Sequence, residues 1–242
     1  MSKVLPHVWT PEGVVAFWNY ESRFPHRYFT RLTAPEIVRQ LRRHFSQQDE
    51  ILDFGCGTGH LLERLLTTGY RVAGADSSPE TIAGINRTFT GRKNFLGAHS
   101  PEALIDSRRR FDAILVAEVV EHLYDDWLDQ LLVTLQRLTK PGGRIIFTTP
   151  NEEDLEEGSL ACPCCGKEFH RTQHVRAWSK DELRRYLEDR GLPVIDAFTT
   201  DFEMSFERKG KRLWVLNKKL KYWRKPHKKR PHLAVVCRMP VA

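Results

Sequence analysis

The run Ile51-Leu52-Asp53-Phe54-Gly55-Cys56-Gly57-Thr58-Gly59-His60-Leu61-Leu62 constrains this chain more than any other stretch. A short apolar strand ends in an acid, three glycines follow on alternate positions, and an apolar helical pattern begins at Leu61. Glycines at that spacing let the backbone turn sharply and approach a ligand that side chains would hold off. The helix that follows aims its unbonded N–H groups at the same place. The run therefore predicts the first strand, ligand loop and helix of an α/β sheet that takes a nucleotide-like cofactor. A second strand-like stretch, Tyr70 to Ala75, ends at Asp76, at the distance expected of an acid that meets ribose hydroxyls.

Beyond the loop, strand and helix patterns alternate. Strands are predicted at 50–54, 71–75, 94–97, 111–117, 143–148, 194–199 and 233–238, and helices at 59–67, 79–89, 101–107, 126–138 and 180–190. Such alternation predicts an α/β fold, a doubly wound and mostly parallel seven-stranded sheet covered on both faces. Two earlier helices, Pro11 to Glu21 and Pro35 to Phe45, predict an N-terminal helical cap over residues 1–45 ahead of a domain spanning 46–242. The aromatic cluster Phe17, Trp18, Tyr20, Phe24, Tyr28 and Phe29 in that cap suits core packing or an acceptor pocket. Pro141-Gly142-Gly143 reads as a turn before the fifth strand.

The glycine spacing is G-x-G-x-G, with Asp53 two residues ahead, and differs from the G-x-G-x-x-G of dinucleotide sites. It resembles the first motif of the class I methyltransferases, which bind S-adenosylmethionine (SAM). The resemblance runs from about Asp49 to Gly191 and again over His232 to Arg238. It implies cofactor contacts from Asp53, Gly55, Cys56, Gly57, Gly59, Asp76 and Ser77. By the same analogy Ala98 and His99 lie where adenine is held, and Ala117 and Glu118 near the methionine part.

Glu118-Val119-Val120-Glu121-His122 follows the predicted fourth strand, where open α/β sheets place their ligands. His122 is the candidate general base that takes a proton from an acceptor hydroxyl, with Glu121 beside it. Both residues also suit a purely structural role at the start of the next helix. The segment resembles the E-x-x-E-H element of small-RNA 2′-O-methyltransferases, where both acids, the histidine and a later histidine hold a divalent metal. The later histidine corresponds here to His174. It equally resembles the ubiquinone-pathway O-methyltransferases. The activity implied is O-methylation of a glycan or a lipid-linked or prenylated acceptor. The alternatives are a metal-dependent RNA 2′-O-methyltransferase and a SAM-binding protein without turnover.

Two insertions depart from these families. In residues 158–178, Cys162, Cys165, His170 and His174 have the C-x2-C-x4-H-x3-H spacing of a zinc knuckle. The spacing predicts a closed zinc site there, in competition with the rim metal for His174. The other insert, 203–231, holds twelve Lys/Arg and no acid between Arg208 and Arg230, which accounts for the +7 net charge of the 242-residue chain. Leu213, Leu216, Leu220 and Trp223 fall on one helical face of it. A basic amphipathic helix suits an anionic membrane surface, RNA phosphates, or packing of its Leu face on the sheet edge. Nucleic acid ranks behind the membrane here. The apolar-poor N-terminus and the crowded cysteines predict a reducing cytoplasm, with peripheral attachment at the inner membrane face.

Overall fold

The computed structural model describes residues 7–204, 212–225 and 229–241. Its strands are β1 (Glu50–Phe54), β2 (Arg71–Ala75), β3 (Phe95–His99), β4 (Phe111–Ala117), β5 (Thr139–Pro150), β6 (Ser159–Ala161), β7 (Glu168–His170), β8 (Val194–Thr200) and β9 (His232–Arg238). Seven form one sheet in the order β3-β2-β1-β4-β5-β9-β8, and β6 and β7 form a separate hairpin. Strands β1 to β5 are mutually parallel, while β9 runs antiparallel to both β5 and β8. The order reverses between β1 and β4, so the ligand crevice lies beyond their carboxyl ends.

The helices are α1 (Pro11–Glu21), α2 (Thr30–Leu41), α3 (His60–Thr67), α4 (Pro79–Phe89), α5 (Pro101–Asp106), α6 (Asp125–Leu138), α7 (Lys180–Glu188) and α8 (Arg212–Arg224). Alternate strand residues feed two cores. Ile51, Val72, Ala113, Leu115 and Ile146 pack under α2, α3 and α4. Leu52, Ala73, Ile114, Val116, Ile145 and Phe147 pack under α5, α6 and α7. Burial on both faces explains why these strands read as continuous apolar runs. Ser-Pro pairs start two of the helices, with Ser78 accepting the Thr81 N–H and Ser100 the Ala103 N–H. A Ser179/Glu182 capping box starts α7.

Two elements start four or five residues earlier than the sequence reading has them. Helix α2 begins at Thr30 and carries Pro35 inside it. The proline removes the bond to the Arg31 carbonyl, but Ala34, Ile37, Val38 and Leu41 are buried in the first core and hold the turn helical. Strand β5 begins at Thr139, because Thr139 pairs with Phe111 before the ladder resumes at Ala113 and Arg144. The predicted Pro141-Gly142-Gly143 turn is a bulge inside that strand.

Helix α8 is turned the opposite way from a helix packed by its leucines. Val215 and Tyr222 are buried with Met204, whereas Leu213, Leu216, Leu220 and Trp223 are 77%, 52%, 42% and 79% exposed. A buried carboxylate sets this orientation. Asp201 is fully buried, accepts the Tyr222 hydroxyl at 3.0 Å and pairs with the Lys218 ammonium. An unpartnered buried carboxylate is costly, so the helix presents Lys218 and Tyr222 inward and its leucines outward. The basic positions 208–211 and 226–228 lie outside the described residues.

Candidate active site

The loop after β1 folds as its glycines require. Gly57 has φ +47, and a Cβ there would stand 2.9 Å from the Tyr28 ring. Gly59 has φ +84, and a Cβ there would stand 2.4 Å from Ile85. The Gly55 and Cys56 N–H groups bond the Ala75 carbonyl, which ties the loop to the end of β2. The Cys56 side chain turns into the core, 3.0 Å from where a Cβ on Gly74 would stand, so only its backbone lines the crevice. Asp76 accepts the Gly57 N–H at 3.0 Å and the Ser78 N–H at 2.9 Å. Ser77 follows it at the crevice. Ala98 is clamped by Asn86, which bonds both its N–H and its carbonyl at 2.9 Å. The His99 carbonyl accepts the Asp76 N–H.

Asp53 is 2% exposed, and its Oδ2 has no partner. Burial pushes its pKa up to about 7, against the Leu62 N–H that favours the charge. A raised acid binds its proton more tightly folded than unfolded, so it stabilises the fold at low pH and loses that contribution as pH rises through about 7. Asp53→Asn stays neutral throughout. The ligand-free wild type should therefore lose stability relative to that variant by about 1.4 kcal/mol per pH unit between about pH 4 and 7. Thermal melts of both proteins across that range check this; parallel curves would contradict it.

At the end of β4 the chain turns through Glu118, which has φ +56 although it is not glycine. Its N–H bonds the Thr148 carbonyl and its Oε1 accepts the Thr148 hydroxyl at 2.8 Å. Such a left-handed residue needs bonds of this kind to hold it. Burial pushes Glu118 up to about 7, with Glu153 adding to the shift. Glu121 is 1% exposed; its Oε2 accepts the Thr149 hydroxyl at 3.0 Å, and its Oε1 has no partner. Burial, and then Glu118, hold Glu121 well above the ordinary carboxylate range. His122 is buried too, and burial followed by the nearby His174 brings it down to about 3. It is a neutral imidazole whose Nδ1 faces the Gln173 carbonyl at 3.3 Å, so Nδ1 carries the proton. Its Nε2 lone pair is left facing Glu121 Oε1 at 3.9 Å.

His174 completes this group: one ligand atom each from Glu121, His122 and His174 lies within 4.8 Å of the others. His174 Nδ1 bonds Glu153, and its ring stacks on His170 at 4.6 Å. Glu153, His170 and His174 form a second such group, and among the described residues no group of three includes a cysteine. The predicted Cys162/Cys165/His170/His174 knuckle is therefore not assembled. The β6–β7 ladder is the reason: Ser159 pairs with His170, while Cys162 to Gly166 lie past the Ala161–Glu168 end. At about 3.3 Å per residue, the three positions from His170 to Lys167, which bonds Cys162, set this histidine about 10 Å from the cysteine turn.

Three participants carried no sequence signal. Gln173 is fully buried, with φ +62. Its amide donates to the His122 carbonyl at 3.0 Å and accepts the Trp18 indole N–H at 3.0 Å. It thereby ties α1 to the rim, where Trp18 meets the His122 ring edge-on at 4.9 Å. Glu153 sits in an acidic run that reads as surface. Asn19 of α1 accepts the Ser78 hydroxyl at 3.0 Å, so the cap also reaches the acid of β2.

Residues 23–197 match the family model described as a methyltransferase domain. The ubiquinone biosynthesis O-methyltransferase of Cereibacter sphaeroides is 32% identical over 200 residues, covering 78% of each chain. That of Dinoroseobacter shibae is 32% identical over 198 residues, again covering 78% of each. Among solved structures, the Burkholderia thailandensis 1,6-didemethyltoxoflavin-N1-methyltransferase, with its substrate and S-adenosylhomocysteine bound, superposes with TM-score 0.66 at 18% identity, over 98% of this chain and 93% of that one. An Archaeoglobus fulgidus SAM-dependent methyltransferase gives 0.57 at 19% identity over 92% and 99%. The strand order, the glycine loop with Asp76, and these relatives agree: the chain belongs to the methyltransferase-domain family and is a class I SAM-dependent methyltransferase.

Proposed function

We propose that this enzyme methylates a hydroxyl oxygen, with a divalent cation held at the rim by Glu121, His122 and His174. The observation that carries the reading is the convergence of buried Glu121 and His122 with half-buried His174 within 4.8 Å, with Glu121 Oε1 unpartnered. Such an orphaned carboxylate oxygen beside two imidazoles is a donor set that fits a divalent ion. Glu118, a further acid of the same turn, stands next to it. The naming of the Cereibacter and Dinoroseobacter relatives as O-methyltransferases supports oxygen as the acceptor atom.

Gly55, Gly57 and Gly59 offer a backbone cradle for SAM, Asp76 the acid for its ribose, and Ala98 and His99 the edge for its adenine. Asp53 braces the loop, and Ala117 and Glu118 border the methionine end. SAM supplies an electrophilic methyl group. The acceptor oxygen forms the new bond to that carbon as the C–S bond breaks, and the electron pair leaves with sulfur as S-adenosylhomocysteine. A divalent ion lowers the pKa of a hydroxyl near it. The His122 Nε2 and the Glu121 carboxylate are the groups of this chain placed to hold that ion or to accept the hydroxyl proton. Trp18 and Gln173 close the rim above them and exclude water. Labelled SAM offered to fractionated lipids, glycans and RNA, with and without chelator, tests this. The reading requires label on oxygen of a lipid-linked, prenylated or glycan acceptor, lost with chelator. Label on RNA alone, or on nitrogen, would contradict it.

A second observation favours an acceptor met at a membrane. The outward Leu213, Leu216, Leu220 and Trp223 stripe lies on a helix with no acid and with Lys221, Arg224 and Lys225 at its end. Each such side chain gains about 1.5–3 kcal/mol when it leaves water, and each nearby basic residue about 1 kcal/mol at an anionic surface. No helix among the described residues is long and apolar enough to cross a membrane, so the contact proposed is interfacial. Leu216→Asp/Leu220→Asp should reduce co-sedimentation with phosphatidylglycerol vesicles at least about tenfold. Equal binding by that variant would remove the membrane role.

A further inference from the structure

His174 is fixed by two further side chains, Glu153 and His170, and the backbone around both is built to bring them there. The chain leaving β5 is pinned at Asn151, whose N–H bonds the Pro231 carbonyl at 2.8 Å and whose side-chain amide bonds the Arg230 carbonyl at 2.9 Å. The next residue, Glu152, takes φ +48, and its N–H bonds the Trp178 carbonyl at 2.7 Å. A non-glycine residue in that region is held there by such bonds. The turn they fix delivers Glu153 to His174, and its Oε2 bonds the ring Nδ1.

His170, at the end of β7, is buried. Gly158 makes room for it, since a Cβ there would stand 1.7 Å from His170 Nε2. The Thr172 hydroxyl lies 2.9 Å from His170 Nδ1, and the His174 backbone N–H points at the same nitrogen from 3.4 Å. The other ring nitrogen, Nε2, is 3.8 Å from Glu153 Oε1. The two rings are nearly parallel, with 20° between their planes and 4.6 Å between centroids. Each oxygen of Glu153 therefore meets one histidine, and His170 backs the His174 ring.

A carboxylate only accepts hydrogen bonds, so the ring atom that bonds Glu153 carries a proton. With the single proton of a neutral ring on Nδ1, the lone pair falls on Nε2. We propose that Glu153 is a positioning residue for the methyl-transfer rim: it fixes His174 in the Nδ1–H tautomer, with His170 stacked against the ring, and leaves Nε2 as the donor atom for the cation. The role toward a cation rests on the reading in which Glu121, His122 and His174 hold one; the tautomer itself does not. An acid on the far nitrogen of a ligating histidine orients the ring and raises its basicity, and losing that acid costs about 10–100-fold in metal affinity.

Two readouts on the full chain test this. Histidine 15N spectra of the metal-free protein at about pH 8.5, with His174 assigned from His174→Gln, should show the Nδ1–H form in the wild type. In Glu153→Ala the same ring should shift toward the Nε2–H form. Mn2+ affinity, followed by electron paramagnetic resonance, should fall about 10–100-fold in Glu153→Ala. It should stay within about threefold in Glu153→Gln, whose carbonyl oxygen still accepts the Nδ1–H. Melting temperature and SAM affinity should stay at wild type in both, because Glu153 is partly exposed and lies outside the cofactor loop. An unchanged His174 tautomer in Glu153→Ala, an unchanged Mn2+ affinity there, or a loss that Glu153→Gln shares in full would overturn the positioning role. A wild-type chain that shows the Nδ1–H form, loses it in Glu153→Ala and binds no Mn2+ would overturn the rim-cation reading and leave that role standing.

Discussion

Glu121→Gln should lower methyl transfer by at least about 100-fold while SAM affinity stays within about threefold of wild type. The substitution keeps the size of the side chain and its bond from the Thr149 hydroxyl, but an amide has no proton to give up to become the anionic ligand that the unpartnered Oε1 offers a cation. A cation between Glu121, His122 and His174 then loses its anionic ligand. The cofactor loop meets this turn through Gly55 and Val119, which the substitution leaves in place. The split between rate and cofactor affinity separates loss of the ion from loss of the fold, since misfolding would take both together. Activity within about threefold of wild type would contradict the metal reading and leave His122 as an ordinary base.

Gly59→Val should have the largest effect on the protein itself. A β-branched residue at φ +84 is strained at the backbone, and its Cβ would stand 2.4 Å from Ile85 and 3.2 Å from Phe89. Both neighbours lie on α4 and are buried in the first core, so neither yields cheaply. Strain and overpacking together should cost about 3 kcal/mol or more of stability and abolish measurable SAM binding. Calorimetry and equilibrium binding on the variant check both. A wild-type melting temperature would show that the loop has more room than its packing implies.

The parts of this fold legible in the sequence are those in which chemistry repeats along the chain. Strands buried on both faces give apolar runs, Ser-Pro pairs announce helix starts, and a glycine loop between Asp53 and Asp76 permits few ligands. The site was legible where it follows a strand end, as Glu118, Glu121 and His122 do. It was not legible where partners arrive from elsewhere. Gln173 gains its role only because α1 brings Trp18 to it, and Glu153 because the chain folds back on His174. The knuckle spacing misled because spacing counts residues, whereas the β6–β7 register carries His170 away from the turn that holds the cysteines. The outward face of α8 was hidden for a similar reason. Its amphipathic pattern gives two faces, and the pairing of Lys218 and Tyr222 with buried Asp201 chooses which one faces water.

The most direct test of the account is binding of Mn2+ to the purified chain, followed by electron paramagnetic resonance. The rim group predicts about one ion per chain, lost in both Glu121→Gln and His174→Gln and retained in Cys162→Ser. Binding that survives both rim substitutions, or no binding at any concentration that supports catalysis, would contradict it.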